Sequence, residues 1–208
     1  MRTLIALVFP MLMLAGGPFG FEKGMTKEQV IKLVGPTVVI KNADDKLNLK
    51  TAPHPHPAFE EYDLLFSPTQ GLLKVVAIGV DVQTNPFGDR IQSAFLDIRN
   101  GIAQVYGHPS DLFDFVHSGS IWTDAQDWTM GLLKEERTLS TFWASKHAMS
   151  RIPSLTADKF LDLPNSLYLI TLDANASSTS KGYVEVSYEF VGWGEYVESR
   201  TAKQNNVF

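Results

Sequence analysis

The stretch FGFEKGMTKEQVIKLVGP, residues 19–36, carries the signals that decide the architecture. Thr26 is placed to accept a hydrogen bond from a free backbone N–H of the first turn. Gln29 is placed to accept one from the backbone N–H of Thr26, which completes a capping box. An apolar stripe at helical spacing follows, formed by Val30, Leu33 and Val34. Gly35 and Pro36 end the pattern, because glycine readily adopts the left-handed conformation and proline cannot continue a helix. The stretch therefore predicts a short capped helix.

A second helix of the same kind is predicted within residues 89–109. It opens at Asp89, with Gln92 three residues on, in the order of a capping signal. Apolar side chains then recur at helical spacing at Ile91, Phe95, Ile98, Ile102 and Val105. Gly107 and Pro109 supply the stop. We expect the apolar side chains to form one buried face.

Strand-like sequence follows each helix. The β-branched or alternating segments are residues 37–40, 62–66, 72–82, 138–143, 167–174 and 183–190. Period-two alternation predicts that one face of the third segment points to the core, through Val76, Ile78, Val80 and Val82. The order is helix, strands and hairpin, twice over. It predicts an α+β fold with an antiparallel sheet and two capped helices, compatible with two tandem helix-plus-hairpin modules that share one sheet.

The same reading divides the chain into segments. Residues 1–17 are predicted to be a signal peptide, 19–88 the first module, 89–192 the second module with its helix and strands, and 193–208 a poorly ordered polar tail. Within the modules, residues 41–50 are polar and predict a loop. Residues 112–128 predict an irregular aromatic region.

The start of the chain has the layout of a secretory signal peptide. A basic Arg2 precedes the continuous apolar run 4–14, and the small residues 15–17 follow. The run is too short for a typical membrane-spanning helix, which needs roughly 20 residues. A buried N-terminal strand or helix is the alternative. We expect a periplasmic or secreted protein that does not span the membrane.

Composition narrows the class of protein. The chain has 208 residues, of which 44% are hydrophobic and 20% are charged, so a packed core is expected. The formal net charge of −5 disfavours nonspecific nucleic-acid binding. There is no cysteine, which excludes disulfides, thiol chemistry and a cysteine-linked lipid anchor. The sequence carries no phosphate-binding loop or dinucleotide fingerprint, and we expect no cofactor.

One segment could hold a metal ion. His54 and His56 alternate around Pro55, so on extended backbone their side chains would point the same way, with Glu60 or Glu61 as a third ligand. Such a run is also ordinary surface sequence, and no recognised zinc spacing is present. The sequence therefore predicts no metal site.

A second cluster has the residue types of a hydrolase. Asp114, His117, Ser118 and Asp124 lie near one another in the chain. Triad members are seldom close in sequence, however, and no Gly-x-Ser-x-Gly elbow occurs. We therefore predict no catalytic residues and expect the protein to be non-enzymatic, with a weak hydrolase as the less favoured reading.

The aromatic region contains the most site-like residues. Trp122, Trp128 and Trp143, with Phe113 and Phe115, could line a groove for a peptide, glycan or lipid, because aromatic side chains supply much of the contact energy in such sites. Asp127 lies in the most site-like motif of this region, residues 127–131. The alternative is that the tryptophans fill the core beneath a long connection. The three tryptophans and Asp127 are the candidate binding residues.

The stretch GMTKEQVIKLVGPT resembles the opening of the SmpA/OmlA-type small lipoprotein domains of the bacterial outer membrane. In that family a glycine, a small hydroxyl residue and an apolar helix ending in Gly-x-Pro precede a β-hairpin. The matching positions are Gly24, Thr26, Val30, Leu33, Gly35 and Pro36. Two features depart from the family: the lipid-carrying cysteine is missing, and proline follows Gly35 directly.

This resemblance implies a location in the envelope and a role in protein binding or scaffolding, and it assigns no catalytic residue. We expect an exported, soluble module with an envelope protein as its partner. Contact would be through an exposed sheet edge or through the aromatic region. The alternative is a small-molecule or glycan binder with a pocket near the tryptophans.

Overall fold

A computed structural model describes residues 16–205. Most of the predicted signal peptide, residues 1–15, lies outside the described residues, as do the last three residues of the predicted tail. The described part contains four α-helices: α1 (Lys27–Val34), α2 (Asp89–Tyr106), α3 (Trp128–Leu133) and α4 (Trp193–Asn205). None of these helices has the length and apolar character that crossing a membrane requires.

Nine strands of the described part form one antiparallel sheet. They are β1 (Val39–Ala43), β2 (Lys46–Leu49), β3 (Phe59–Ser67), β4 (Gly71–Gly79), β5 (Val82–Gln83), β6 (Asp111–Val116), β7 (Arg137–Ala144), β8 (Leu167–Ser178) and β9 (Lys181–Phe190). The strand order is β1-β2-β3-β4-β9-β8-β7-β6, with β5 paired to β9. The predicted α+β fold with an antiparallel sheet is confirmed.

The sheet joins two meanders at its centre. Strands β1–β4 follow α1 in the chain, strands β6–β9 follow α2, and the last strand of each set pairs with the other, β4 with β9. The strands that follow the two predicted helices therefore belong to one continuous sheet. Internal duplication stays a prediction.

Helix α1 forms as its sequence predicts. The Thr26 hydroxyl accepts from the Gln29 backbone N–H at 3.3 Å, and the Gln29 side-chain oxygen accepts from the Thr26 N–H at 2.8 Å, so the capping box is complete. Gly35 follows the helix at φ 87° and its N–H donates to the Ile31 carbonyl. Val30 is fully buried, and Ile31 and Val34 pack half-buried against the same core, whereas Leu33 of the predicted apolar stripe is exposed.

Helix α2 differs from its prediction at both ends. Gly88 is the capping residue, and the Gln92 side chain donates to the Phe87 carbonyl at 2.8 Å, so no capping box forms around Asp89. The apolar stripe is buried at Ile91, Phe95 and Ile102. Its last member, Val105, is exposed instead of buried, and at this end of the helix Tyr106 packs against the core in its place.

The main core lies between one face of the sheet and α1, α2 and α3. It combines helix side chains with alternate residues of the central strands, among them Val30, Phe95, Trp128, Tyr62, Val75, Ile170, Val186 and Phe190. On β4 the core-facing residues are Val75 and Ala77. The prediction that the alternate face of this segment points to the core is therefore wrong for Val76, Ile78 and Val80, whereas Val82, in β5, packs half-buried against the main core. Strand β4 is apolar on both faces, so alternation alone could not select between them.

Three segments predicted to be irregular contain regular structure. The predicted loop 41–50 holds most of the hairpin β1–β2, the aromatic region contains β6, and the predicted tail forms α4. The opposite face of the sheet, called the open face below, is covered at its β7–β8 end by residues 145–163. They form a second small core through Ala148 and Phe160.

Candidate functional site

The four residues predicted to bind a ligand do not come together as one surface. Trp143, on β7, is 0% exposed and its indole N–H donates to the Gly107 carbonyl at 2.8 Å. Trp128 is also buried, in the main core. Trp122 and Asp127 are half-buried in the segment between β6 and α3. The alternative reading of the tryptophans as core residues therefore describes Trp128 and Trp143.

The position of Trp128 depends on a close approach to the start of α2. Gly88 has φ 74°, and a Cβ built on it would lie 1.9 Å from Cε3 of Trp128. On the other side the Arg137 guanidinium lies 5.8 Å from the indole centroid. No space for a ligand is left between Gly88 and this ring.

Two surface depressions occur beside β5 and the first turns of α2. The larger has a volume of about 430 Å³ and is lined by Val82, Gln83, Arg90, Ser93, Ala94 and Asp97. The smaller, of about 300 Å³, shares Gln83 and Arg90 with it. Neither depression is lined by a tryptophan.

Side chains in both the hydrolase-like and the metal-binding sequence pattern are engaged by other residues. His117 places Nε2 2.8 Å from the Thr138 hydroxyl, and Asp114 accepts from Arg137 at 2.9 Å. His56 accepts from the Ala58 N–H through Nδ1 at 3.2 Å. Within the described residues no group of three or more histidine and carboxylate side chains is arranged to hold a metal ion.

Strand β6 places two of the predicted groove residues, Phe113 and Phe115, on a regular strand at the edge of the sheet, which the sequence did not predict. It ends the sheet on one side, so one of its edges has no neighbouring strand within the described residues. Its pairing with β7 runs over six residues without a register shift. Three large apolar side chains on it are exposed: Leu112 by 45%, Phe113 by 41% and Phe115 by 48%. A regular edge strand with exposed apolar side chains is a ready template for another chain.

Aromatic rings line the open face beside this edge. Phe113 stacks on Phe142 of β7 with centroids 5.8 Å apart, and Phe115 stacks on His117 at 5.3 Å. Phe113 and Phe115 meet edge to face at 6.4 Å. We call these four residues the aromatic strip. It offers a continuous apolar surface at the margin of the sheet.

The opposite edge of the sheet is protected in ways that β6 is not. Strand β1 has five residues and an irregular register between Val39 and Lys41. The Lys27 ammonium crosses to its end and donates to the carbonyls of Ala43 and Asp44. An irregular register and lysine side chains both discourage edge pairing. Of the two terminal strands, β6 is therefore the less protected against pairing with another chain.

The open face next to the aromatic strip carries carboxyl groups. Phe113, Ser140, Asp173 and Glu185 follow one another across β6, β7, β8 and β9 as direct cross-strand partners. Burial raises the pKa of the Asp173 carboxyl, while the Ser140 hydroxyl and Lys74 act the other way. Burial, and then the charge of Asp173, raise the pKa of Glu185.

No protein-family model, curated protein or solved structure matches the chain. The resemblance of α1 to the SmpA/OmlA-type domains therefore stays a prediction. Among the described residues, the outer edge of β6 with the aromatic strip is the surface whose geometry best fits a binding site.

Proposed function

We propose that this chain is an exported, non-enzymatic protein-binding module of the bacterial envelope, and that it binds its partner by strand addition at the outer edge of β6. The observation that carries the proposal is the pairing of β6, which is regular along one edge and, within residues 16–205, has no neighbouring strand along the other. In strand addition the partner's main chain supplies hydrogen bonds to the edge, and alternate side chains supply specificity.

The exposed aromatic rings support the same mode of binding. Phe113 and Phe115 stand on the open side of β6 and are each more than two-fifths exposed. A partner strand laid along β6 would cover them, and burial of apolar surface contributes roughly 25 cal/mol per Å². Aromatic side chains are also over-represented among residues that dominate binding energy.

Export and the envelope location are supported by sequence. Residues 1–17 have the layout of a signal peptide, and the capped helix α1 is followed by a strand hairpin, as in the family it resembles. Without a cysteine the chain would act as a soluble module and not as a lipoprotein.

Site-specific photocrosslinking in the envelope of a Gram-negative host tests the proposal. A photoreactive phenylalanine analogue at position 115 is compared with the same analogue at position 40, because Ile40 is 49% exposed on the protected strand β1. We expect a discrete crosslinked protein from position 115 and none from position 40. Equal patterns, or no crosslink from position 115, would remove the main support. Cell fractionation of the same strains tests the location.

A small-molecule or glycan binder is the alternative function. It has less support, because two of the three tryptophans that would line its pocket are buried and the described depressions lie elsewhere. Half-buried Trp122 remains its best-placed residue.

A further inference from the structure

Resting on the proposed function, we infer that the partner strand has an apolar–basic–apolar pattern, with lysine or arginine opposite Asp114 and apolar residues opposite Phe113 and Phe115. The proposal names the chemistry of the partner of β6. It follows from which backbone groups point outward, which side chains accompany them, and where charge lies along the edge.

The hydrogen bonds between β6 and β7 determine which backbone groups of β6 point away from the sheet. The N–H of His117 donates to the carbonyl of Glu136, the residue before β7, at 2.8 Å. Along an antiparallel pair, hydrogen-bonded residues alternate with residues that are not hydrogen-bonded to the same neighbour. Phe115 and Phe113 precede His117 by two and four residues, so their backbone N–H and C=O groups also point to β7. Those of Leu112, Asp114 and Val116 point outward. The Leu112 N–H is capped by the Asp111 carboxylate at 3.0 Å. A partner strand would therefore bond chiefly to Asp114 and Val116.

Asp114 gives the centre of this edge a negative charge. Its side chain is 51% exposed, and its contact with Arg137 engages Oδ1. Residues in a directly opposed cross-strand pair interact, and opposite charges stabilise such a pair while like charges destabilise it. The carboxylate can accept a second cation from the partner strand at Oδ2. A basic residue opposite Asp114 is therefore favoured over a neutral or acidic one.

The flanking positions call for apolar side chains. Phe113 and Phe115 project from the open side of β6, opposite in direction to Asp114, because successive side chains of a strand alternate. Their cross-strand partners would sit in non-hydrogen-bonded pairs, where side chains approach most closely. Aromatic–aromatic and aromatic–β-branched pairs are among the stabilising ones. The two rings therefore select apolar neighbours on either side of the basic residue.

A second copy of this chain fits the edge less well. If β6 paired with its own copy in the symmetric antiparallel register, Leu112 would face Val116 and Asp114 would face Asp114. The like charges would oppose this pairing at its centre. The formal net charge of −5 adds a general repulsion between copies and attracts a basic partner instead. The edge charge thus acts against self-association and for a basic strand.

A peptide series on the exported protein tests the inference. Three nine-residue peptides of the same alternating apolar composition carry lysine, glutamine or glutamate at the central position. Binding is followed by the backbone amide signals of Asp114 and Val116 in NMR titrations at low salt. We expect the lysine peptide to shift both signals and to bind at least about five-fold more tightly than the glutamate peptide. The difference should narrow at high salt, because ionic screening weakens surface pairs.

Two aspartate variants separate the edge charge from the overall charge. Asp114→Asn should reduce the preference for lysine over glutamate to less than about two-fold. Asp124→Asn, which removes an exposed carboxylate from the following loop, should leave the preference unchanged. Thermal melting of both variants confirms that they fold. If either variant fails to fold, the peptide series on the unaltered protein still tests the inference.

Three outcomes would overturn the inference, and they differ in what they leave standing. Equal affinity for the lysine and glutamate peptides would exclude the basic partner but keep strand addition at β6. A concentration-dependent dimer in sedimentation velocity that is perturbed by substitution of Phe115 would show that a second copy of the chain occupies the edge of β6. Absence of any peptide-dependent shift at Asp114 and Val116 would exclude strand addition itself, and the proposed function would then rest on the photocrosslinking alone.

Discussion

Asp173 of β8 and Glu185 of β9 lie directly opposite each other on the open face of the sheet. Two carboxyl groups in one cross-strand pair repel each other when both are ionised. Burial raises the pKa of each, and Lys74 acts against the rise in both. For Glu185, Asp63 adds to the rise and Lys46 opposes it.

The folded protein should therefore be stabilised when the charge at position 173 is removed at neutral pH. A carboxyl whose folded pKa is raised binds its proton more tightly in the folded state. Its stabilising contribution is full below the ordinary carboxyl pKa and is lost as pH rises through the folded value. Asp173→Asn should raise the free energy of unfolding by about 0.5 kcal/mol at pH 7. This gain should vanish near pH 4.

Urea denaturation at both pH values checks this prediction. Asp97→Asn, in which an exposed carboxylate of α2 is neutralised, is the control and should show no comparable pH-dependent gain. A stability difference for Asp173→Asn that is equal at pH 4 and pH 7 would show that the repulsion does not act.

Substitution of Gly88 should destabilise the fold. An added Cβ would meet the Trp128 ring, and the φ of 74° disfavours any side chain. We expect Gly88→Ala to cost more than about 2 kcal/mol in unfolding free energy. Gly101→Ala, inside α2, has open space around the new methyl group and should stabilise by about 0.5–1 kcal/mol. We expect the two alanine substitutions to change the free energy of unfolding in opposite directions in the same denaturation experiment.

The capping box of α1 should contribute measurably to stability. Thr26→Ala removes the hydroxyl acceptor of the Gln29 N–H and should cost about 1 kcal/mol. Thr26→Ser keeps that acceptor and should cost far less. Thermal melting distinguishes the two variants. Equal melting temperatures would mean that packing of the apolar side chains alone holds the helix.

Tryptophan fluorescence should separate two classes of indole. Trp128 and Trp143 are buried, whereas Trp122 and Trp193 are half-buried. The double variant Trp122→Phe, Trp193→Phe should emit at shorter wavelength than the unaltered protein and should be less quenched by acrylamide. If quenching is unchanged, or if a ligand shifts the emission of this variant, the two core tryptophans are accessible and the alternative function gains support.

Sequence signals within a few residues of each element were sufficient to predict much of the fold. The capping box and Gly35 lie within a few residues of the helix whose ends they mark. The hairpin β8–β9 alternates clearly in sequence, and Val184 and Val186 lie on its buried face. The hairpin β1–β2 was missed because polar residues predominate in 41–50, where its turn contains two aspartates. Helix α4 was missed because it lacks an apolar face strong enough to stand out from a polar tail.

The candidate site depended on information that local sequence does not contain. Strand β6 reads as part of an aromatic region because Asp114 interrupts its apolar run. Its position as a terminal strand of the described sheet follows from the long-range strand order, in which β4 pairs with β9. Likewise Trp143 is satisfied by Gly107, a partner 36 residues away, so its burial could not be inferred from its neighbours.

The junction between β4 and β9 also sets the order in which the molecule can be completed. Its pairs include Lys74 with Glu189, 115 residues apart in the chain, so the central seam forms only after nearly all of the protein has been synthesised. Pairings of such long sequence separation are reached slowly. Until β9 arrives, β4 and β8 both remain open, and a chain that ends before residue 181 would expose two fresh strand borders in the middle of the protein. Such an incomplete chain would be a substrate for chaperones and proteases.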